Sequence, residues 1–428
     1  MAIALKRLFL ERYPWLIAVL LFLIALAAGI HANHYRIDTM LTHRSDPWGY
    51  YQYLAATLGT HEWLELPWAH TLENGNHLCM FTIGVAYLMA PFFYATAGIA
   101  AMLGQPVTGY SASFYYGQFI GSAFYLAAGG HLLFHALRRR FPVRVAIVVP
   151  LILFGASNLY FYTVMEPGMS HVYSFFLFAW MHYLTVRMLE RPSADRLFAL
   201  FICAGLLVLV RQLNAVALLF PLLYGSPIRE ALELRWNWLK RYPKATVAGV
   251  AGAALLITPQ LIYWKAVTGS LLVFTYGKKD ESFNWTDPHL LDVLVSHQNG
   301  WWVYTPIMLI TTAILLYGAA RKIMGMRLLL VVLALTWYTY ASWWSWWLGG
   351  GFGHRGFIEL YALLSIPLAI GMQHVMRQRI LVKVLCIGVL AVLIVLNIRM
   401  TYLYHWPWEG PEWTWEKLLV VWRTALIG

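Results

Sequence analysis

The chain is short of charge. Only 12% of its 428 residues are Asp, Glu, Lys or Arg, roughly half the share found in soluble globular domains, while 60% are hydrophobic. That scarcity excludes an ordinary water-soluble enzyme and points to an all-α polytopic membrane protein. Cysteine is scarce too: Cys79, Cys203 and Cys386 lie far apart in apolar sequence, which excludes a disulfide framework and a cysteine-ligated zinc site. The alternation over about ten residues that marks β-barrel strands is missing, as are internal repeats, low-complexity tracts and a soluble domain. No small-residue cleavage site follows the first apolar run, so that run is expected to be retained as a helix. Acids are outnumbered 19 to 31 by Lys and Arg, but the basic residues gather at the ends of apolar runs and not on one patch. The excess therefore reports topology, and no nucleic-acid partner is expected.

What is present is a series of apolar runs of about 18 to 25 residues, the length that crosses roughly 30 Å of hydrocarbon as helix. Lys6, Arg7 and Arg12 precede the run 14–32 and place the N-terminus in the cytoplasm, with 33–76 outside. The stretch 77–103 is apolar enough to span, yet the following run, 113–137, ends in Arg138-Arg139-Arg140, which belongs on the cytoplasmic side. The stretch 77–103 is therefore expected to lie in the outer interface, broken at Gly84 and Pro91, making 33–112 a first outer loop with interfacial helices. Runs 143–165 and 171–187 go out and back. Basic residues on both flanks of 198–224 require it to enter and return, as two short helices meeting near Arg211-Gln212-Leu213-Asn214. Run 245–264 leads to a second large outer loop, 265–301, followed by runs 302–319, 328–346, 357–375 and 384–400. The tail 401–428, with Trp406, Trp408, Trp413 and Trp415, is expected to be an aromatic interfacial segment on the outer surface. The expectation is one domain, 1–428, of about eleven transmembrane helices, N-terminus in and C-terminus out.

On that topology the chemically useful side chains lie on the outer face. The segment His43 to Leu54 offers Asp46 with Tyr50 close by, and the turn 166–171 offers Glu166 and His171. The second large loop offers Tyr276, Lys278 and Lys279. A glycine-rich turn, 349–356, offers His354 and Arg355, the latter a planar fork suited to phosphate oxygens. Arg211 stands inside an apolar run, where a charge is costly unless paired or solvated. Each has a plain structural alternative: Asp46 before Pro47 could simply cap a helix, Glu166 could stabilise a helix start, and the tryptophans could be interfacial anchors.

These residues, in this order, resemble the GT-C class of polyprenyl-phosphate-sugar-dependent glycosyltransferases, in the branch of the protein O-mannosyltransferases and the aminoarabinose transferase of lipid A. The likeness rests on Ser45-Asp46-Pro47-Trp48-Gly49-Tyr50-Tyr51 in the first outer loop, and on Ile83-Gly84 with Ala90-Pro91-Phe92-Phe93 before a run ending in arginines. It continues in Gly205 to Gln212 and in Trp346, Gly350 and Phe352-Gly353-His354-Arg355. The resemblance implies that Asp46 is the general base that deprotonates an acceptor hydroxyl as it attacks the anomeric carbon, with inversion. It also implies cationic stabilisation of the leaving lipid phosphate by Arg355, Arg211 or Lys278 and Lys279. Some members of the class bind a divalent cation, for which Glu166 and His171 are the available pair. Two departures stand out: Pro47 replaces the acid that follows the aspartate in the protein mannosyltransferases, and their lumenal domain is missing.

The reading is a glycosyltransferase of a bacterial inner membrane, its site facing the periplasm. Its expected partners are a polyprenyl-phosphate sugar donor, a lipid, glycan or protein acceptor, and membrane lipids. The rival reading is a transporter or lipid flippase with Arg211 and Glu166 as functional charges, which should carry inverted repeats that this sequence does not display. A noncatalytic scaffold would not need so many polar residues on its outer turns.

Overall fold

The computed structural model describes residues 15–34, 46–60, 69–276, 281–405 and 408–428, and among these it is helical apart from one small hairpin. Helices α1 (Trp15–Asn33) and α2 (Asp46–Ala55) precede that hairpin, whose strands β1 (Ala69–Thr71) and β2 (His77–Cys79) are antiparallel with Ala69 opposite Cys79. Then come α3 (Gly84–Met102), α4 (Ala112–Leu137), α5 (Val143–Gly155), α6 (Leu159–Val164), α7 (Ser170–Glu190) and α8 (Ala194–Val210). A 3-10 segment, Gln212–Leu218, leads into α9 (Leu219–Leu223), α10 (Ile228–Arg241) and α11 (Pro243–Thr268). The C-terminal part holds α12 (Pro306–Ala320), α13 (Met326–Ala341), a 3-10 turn Arg355–Leu360 running into α14 (Tyr361–Val375), α15 (Ile380–Leu403) and α16 (Trp415–Ile427).

Among the described residues, six helices of 19 to 26 residues are long and apolar enough to cross a membrane: α1, α3, α4, α11, the Arg355–Val375 unit and α15. At 1.5 Å per residue they measure roughly 28 to 39 Å, the thickness of a bilayer's hydrocarbon. Helices α5, α12 and α13 are apolar but shorter. The chain is thus a helical membrane protein.

Close packing around α4 holds the bundle together. Phe119 packs against Gly29 of α1, and Phe175 of α7 fills the space a side chain would need at Gly129. Small residues at such contacts let helices approach where lipid offers no hydrophobic gradient to drive them together.

Two expectations need correction. The stretch 77–103 does change at Gly84, where strand and turn give way to α3, but it is not broken at Pro91, which sits inside a helix that continues to Met102. Proline removes one backbone donor, a loss that a helix packed along α4 and lacking competing water can absorb. Gly84 also serves as a contact point. A Cβ there would lie 2.3 Å from the Leu209 backbone, and Thr82 donates to the Leu209 carbonyl at 2.5 Å. Two of the tail's tryptophans are core residues, while Trp415 and the Leu419, Val420 and Ile427 face of α16 stay exposed. Trp408 and Trp413 are buried and stack on each other at 4.8 Å, with Trp408 against Phe352 and the Trp413 indole donating to Tyr304. Trp406 lies outside the described residues.

The molecule has two distinct ends. At one, Arg139 and Arg187 both meet Glu190, and Arg140 donates to the Tyr224 hydroxyl. These groups gather where α4 and α7 end. Helix α8 starts from this basic end, stops at Arg211 in an extended conformation, and the chain returns through the 3-10 segment to Tyr224. The expected break at Arg211 is present. Its guanidinium is therefore delivered to the far end, beside the N-terminus of α7.

Candidate functional site

Asp46 opens α2, whose Trp48, Tyr50 and Tyr51 are buried. Three contacts fix this short helix. The Cys79 thiol donates to the Gly49 carbonyl at 3.5 Å, the Tyr53 hydroxyl donates to the Phe81 carbonyl at 2.7 Å, and the Tyr51 hydroxyl donates to the Gly109 carbonyl. The turn between α6 and α7 reaches the start of α2 through Gly168, where a Cβ would be 2.7 Å from Pro47.

The glycine-rich turn arrives from the other end of the sequence. Leu348, Gly349 and Gly353 take left-handed backbone, φ +58, +71 and +67°, a conformation that is strained for leucine. Asn299 holds it in place, donating to the carbonyls of Trp347 at 3.0 Å and Gly349 at 2.8 Å while accepting from the Gly353 amide at 3.1 Å. Tyr162 accepts from the Phe352 amide at 3.1 Å, and a Cβ on Gly351 would fall 2.6 Å from that tyrosine oxygen. The result is a fixed position for Arg355.

Arg355 donates through Nη2 to Oδ2 of Asp46 at 3.0 Å, across 309 positions of sequence. Both side chains keep some contact with solvent, 17% for Arg355 and 21% for Asp46. One turn further on, Glu359 gathers a second set of charges. Its Oε1 lies 3.0 Å from Nδ1 of His171 and 3.4 Å from Nη1 of Arg211, whose guanidinium sits 6.0 Å from the Tyr340 ring. Glu359 is 3% exposed and Arg211 22%, so the acid is the buried anchor and the arginine the open end.

Tyr50 lies between the two pairs. Burial pushes its hydroxyl up to about 12, with nearby Arg211 opposing, Asp46 reinforcing and a hydrogen bond from Ser170 opposing. Burial likewise raises the Tyr276 hydroxyl, beside Tyr50 and Arg211. Both phenols stay protonated at neutral pH and can donate to an anion.

The structure thus brings Asp46, Tyr50, His171, Arg211, Tyr276 and Arg355 into one cluster. Glu166 lies in the adjoining turn, near enough to Tyr162 and Tyr404 to perturb both electrostatically. Lys278 and Lys279 lie outside the described residues. Two candidates face inward instead of toward the opening. His171 is 1% exposed and its Nδ1 is committed to Glu359. Among the described residues no group of three or more His, Cys, Asp or Glu is placed to hold a metal ion. His354 is fully buried, donates through Nε2 to the Trp346 carbonyl at 2.9 Å and packs on Tyr340 and Phe357, which makes it a brace of the turn.

Burial of His354, with Arg355 beside it, lowers its imidazole to about 3. The unfolded chain takes up a proton at this position once the pH falls below about 6.5, whereas the folded chain resists until about 3. Stability contributed here is complete above pH 6.5 and is lost progressively on acidification. In detergent, thermal midpoints followed from pH 7.5 to 4.5 should fall less steeply for His354→Gln than for the parent; an equal slope would contradict the assignment.

Sequence reasoning missed Glu359 and the tyrosines Tyr162 and Tyr340. For Glu359 a signal existed: it is the only acidic residue between Asp292 and Glu409, in a stretch otherwise rich in membrane helix. The tyrosines carried none, being two among 26.

No protein-family model, no curated protein and no solved structure matches this chain.

Proposed function

We propose that the protein is a membrane glycosyltransferase that moves a sugar from a polyprenyl-phosphate carrier to a lipid, glycan or protein hydroxyl, with Asp46 as general base and inversion at the anomeric carbon. The observation that carries this reading is the partly open Asp46–Arg355 pair, with Arg211, Tyr50 and Tyr276 around it. In the resting pair each group occupies the other. A lipid phosphate arriving at Arg355 competes for the guanidinium, and the carboxylate is then released to take the acceptor proton. The acceptor oxygen bonds to the anomeric carbon as the carbon–oxygen bond to phosphate breaks, and the electron pair leaves with the lipid phosphate. Guanidinium and phenol donors stabilise that developing charge.

The two-ended charge distribution supports an outward-facing site. Helix α7 is 21 residues long, so His171 at its start and Glu190 at its arginine-bound end are about 30 Å apart. By the positive-inside rule the basic end is cytoplasmic, and in a bacterium the site would then face the periplasm.

The test is binding of the product lipid. Polyprenyl phosphate should bind the parent protein and bind Arg355→Lys about tenfold more weakly, because an ammonium cannot reproduce the two-pronged contact. Unchanged affinity in Arg355→Lys and Arg355→Ala would remove the proposed phosphate site.

A further inference from the structure

We infer that α10 is an amphipathic helix docked on the membrane surface at the basic end, where its apolar stripe sits among acyl chains and Arg229 and Lys240 engage anionic phospholipid headgroups. This inference is independent of the enzymatic reading.

The helix Ile228–Arg241 divides into three sectors along its length. Ala231, Arg235 and Trp238 face the protein and are buried. Ile228, Leu232 and Trp236, spaced by four, form one exposed apolar stripe, 65, 48 and 58% accessible. The remaining arc is polar, with Arg229, Glu230, Glu233, Asn237 and Lys240 all exposed. A helix free in water has no use for the second sector, and a helix crossing a bilayer could not carry the third.

The position of α10 identifies what covers the stripe. Tyr242 alone separates it from α11, a 26-residue apolar helix whose Val247, Leu255 and Ile262 are 70, 73 and 61% accessible. Only hydrocarbon can cover that length of exposed side chains, so a bilayer surrounds α11 and α10 lies at its edge. Helix α10 is bent by 91° from the preceding Gln212–Leu223 segment, which turns it across the path the chain had been following. The bend is pinned from inside. Arg235 donates to the Pro221 carbonyl at 2.9 Å and the Tyr224 carbonyl at 2.6 Å, and lies 4.8 Å from the Trp238 ring. The stripe is therefore presented in a fixed direction.

Charge completes the fit. At 100° per residue, Arg229 and Lys240 fall on the border between the apolar and polar sectors, where long basic side chains reach the phosphate layer while their stems stay in hydrocarbon. Lys240 already lies 5.2 Å from the Trp236 ring. Arg229 pairs with Glu233 at 3.0 Å but its side chain stays 91% exposed, so both cations can reach anionic headgroups.

The test uses the full chain with Cys386→Ser, since the other two cysteines are buried. Single spin labels at Leu232→Cys, Trp236→Cys, Glu233→Cys and Asn237→Cys are compared in vesicles of phosphatidylcholine with and without phosphatidylglycerol. Labels at 232 and 236 should be reached by oxygen and shielded from a water-soluble nickel chelate, with the opposite pattern at 233 and 237. Fluorophores at 232 should be quenched several-fold more by labelled phosphatidylglycerol than by labelled phosphatidylcholine, and the joint change Arg229→Gln and Lys240→Gln should abolish that preference. Equal nickel accessibility at all four positions, as expected for a stripe in water, or shielding of 232 and 236 from oxygen as well as nickel, as expected under another protein, would overturn the docking. Retention of the lipid preference in the double variant would overturn the role of the two cations.

Discussion

Asp46→Asn should reduce sugar transfer by about 10² to 10⁴-fold, the range lost when a positioned general base is removed. Asparagine keeps the size of the side chain and one oxygen that can accept from Arg355 at the present 3.0 Å spacing, so the site retains its shape. Folding should be little affected, because the amide keeps an acceptor for Arg355 and the arginine keeps some contact with solvent. The variant should still bind polyprenyl phosphate, and more tightly, since the neutral side chain no longer competes for Arg355. The measurements are initial transfer rates and lipid-phosphate affinity on the same preparation. Loss of both together would indicate a damaged site and not a missing base.

Glu359→Ala should be the most damaging single change to stability within the cluster. Glu359 is the buried partner of both His171 and Arg211, and its loss strands a guanidinium beside a histidine in a largely dry setting. Removing one member of a buried pair typically costs about 3–5 kcal/mol; with Arg211 partly solvated, about 2–4 kcal/mol is expected here. Glu359→Gln keeps an acceptor for both neighbours and should lose about half as much, which separates lost charge from lost contact. Unfolding by graded addition of SDS to mixed micelles would read both values. A Glu359→Ala variant as stable as the parent would mean that Arg211 is held by something other than this carboxylate.

Much of this arrangement was legible because the sequence marks it locally. Apolar run length sets the helices, and an arginine inside such a run, flanked on both sides by basic segments, forces the break seen at Arg211. Asp46 at a helix start and the glycine-rich turn before Arg355 are readable for the same reason. What failed concerns burial. Inside a membrane, lipid-facing and core-facing residues are equally apolar, so hydropathy does not tell an anchor from a core residue. Aromatic enrichment near a chain end predicts interfacial anchors at Trp408 and Trp413, yet Trp408 packs against Phe352 in the turn that carries Arg355 and Trp413 stacks on Trp408. Pro91 predicts a break by rules drawn from water-exposed helices, which have a competing solvent for the freed carbonyl. The role of Glu359 is not marked locally, because its significance comes from His171 and Arg211, which lie 188 and 148 positions away.

Donor turnover is the most direct measure of the proposed transfer from a lipid-phosphate sugar. Purified protein in nanodiscs, supplied with radiolabelled polyprenyl-phosphate sugars and a membrane extract as acceptor source, should release free polyprenyl phosphate at a rate that disappears in Asp46→Asn. Release at the same rate from parent and variant, or no release from any donor by a parent protein that binds polyprenyl phosphate, would contradict the account.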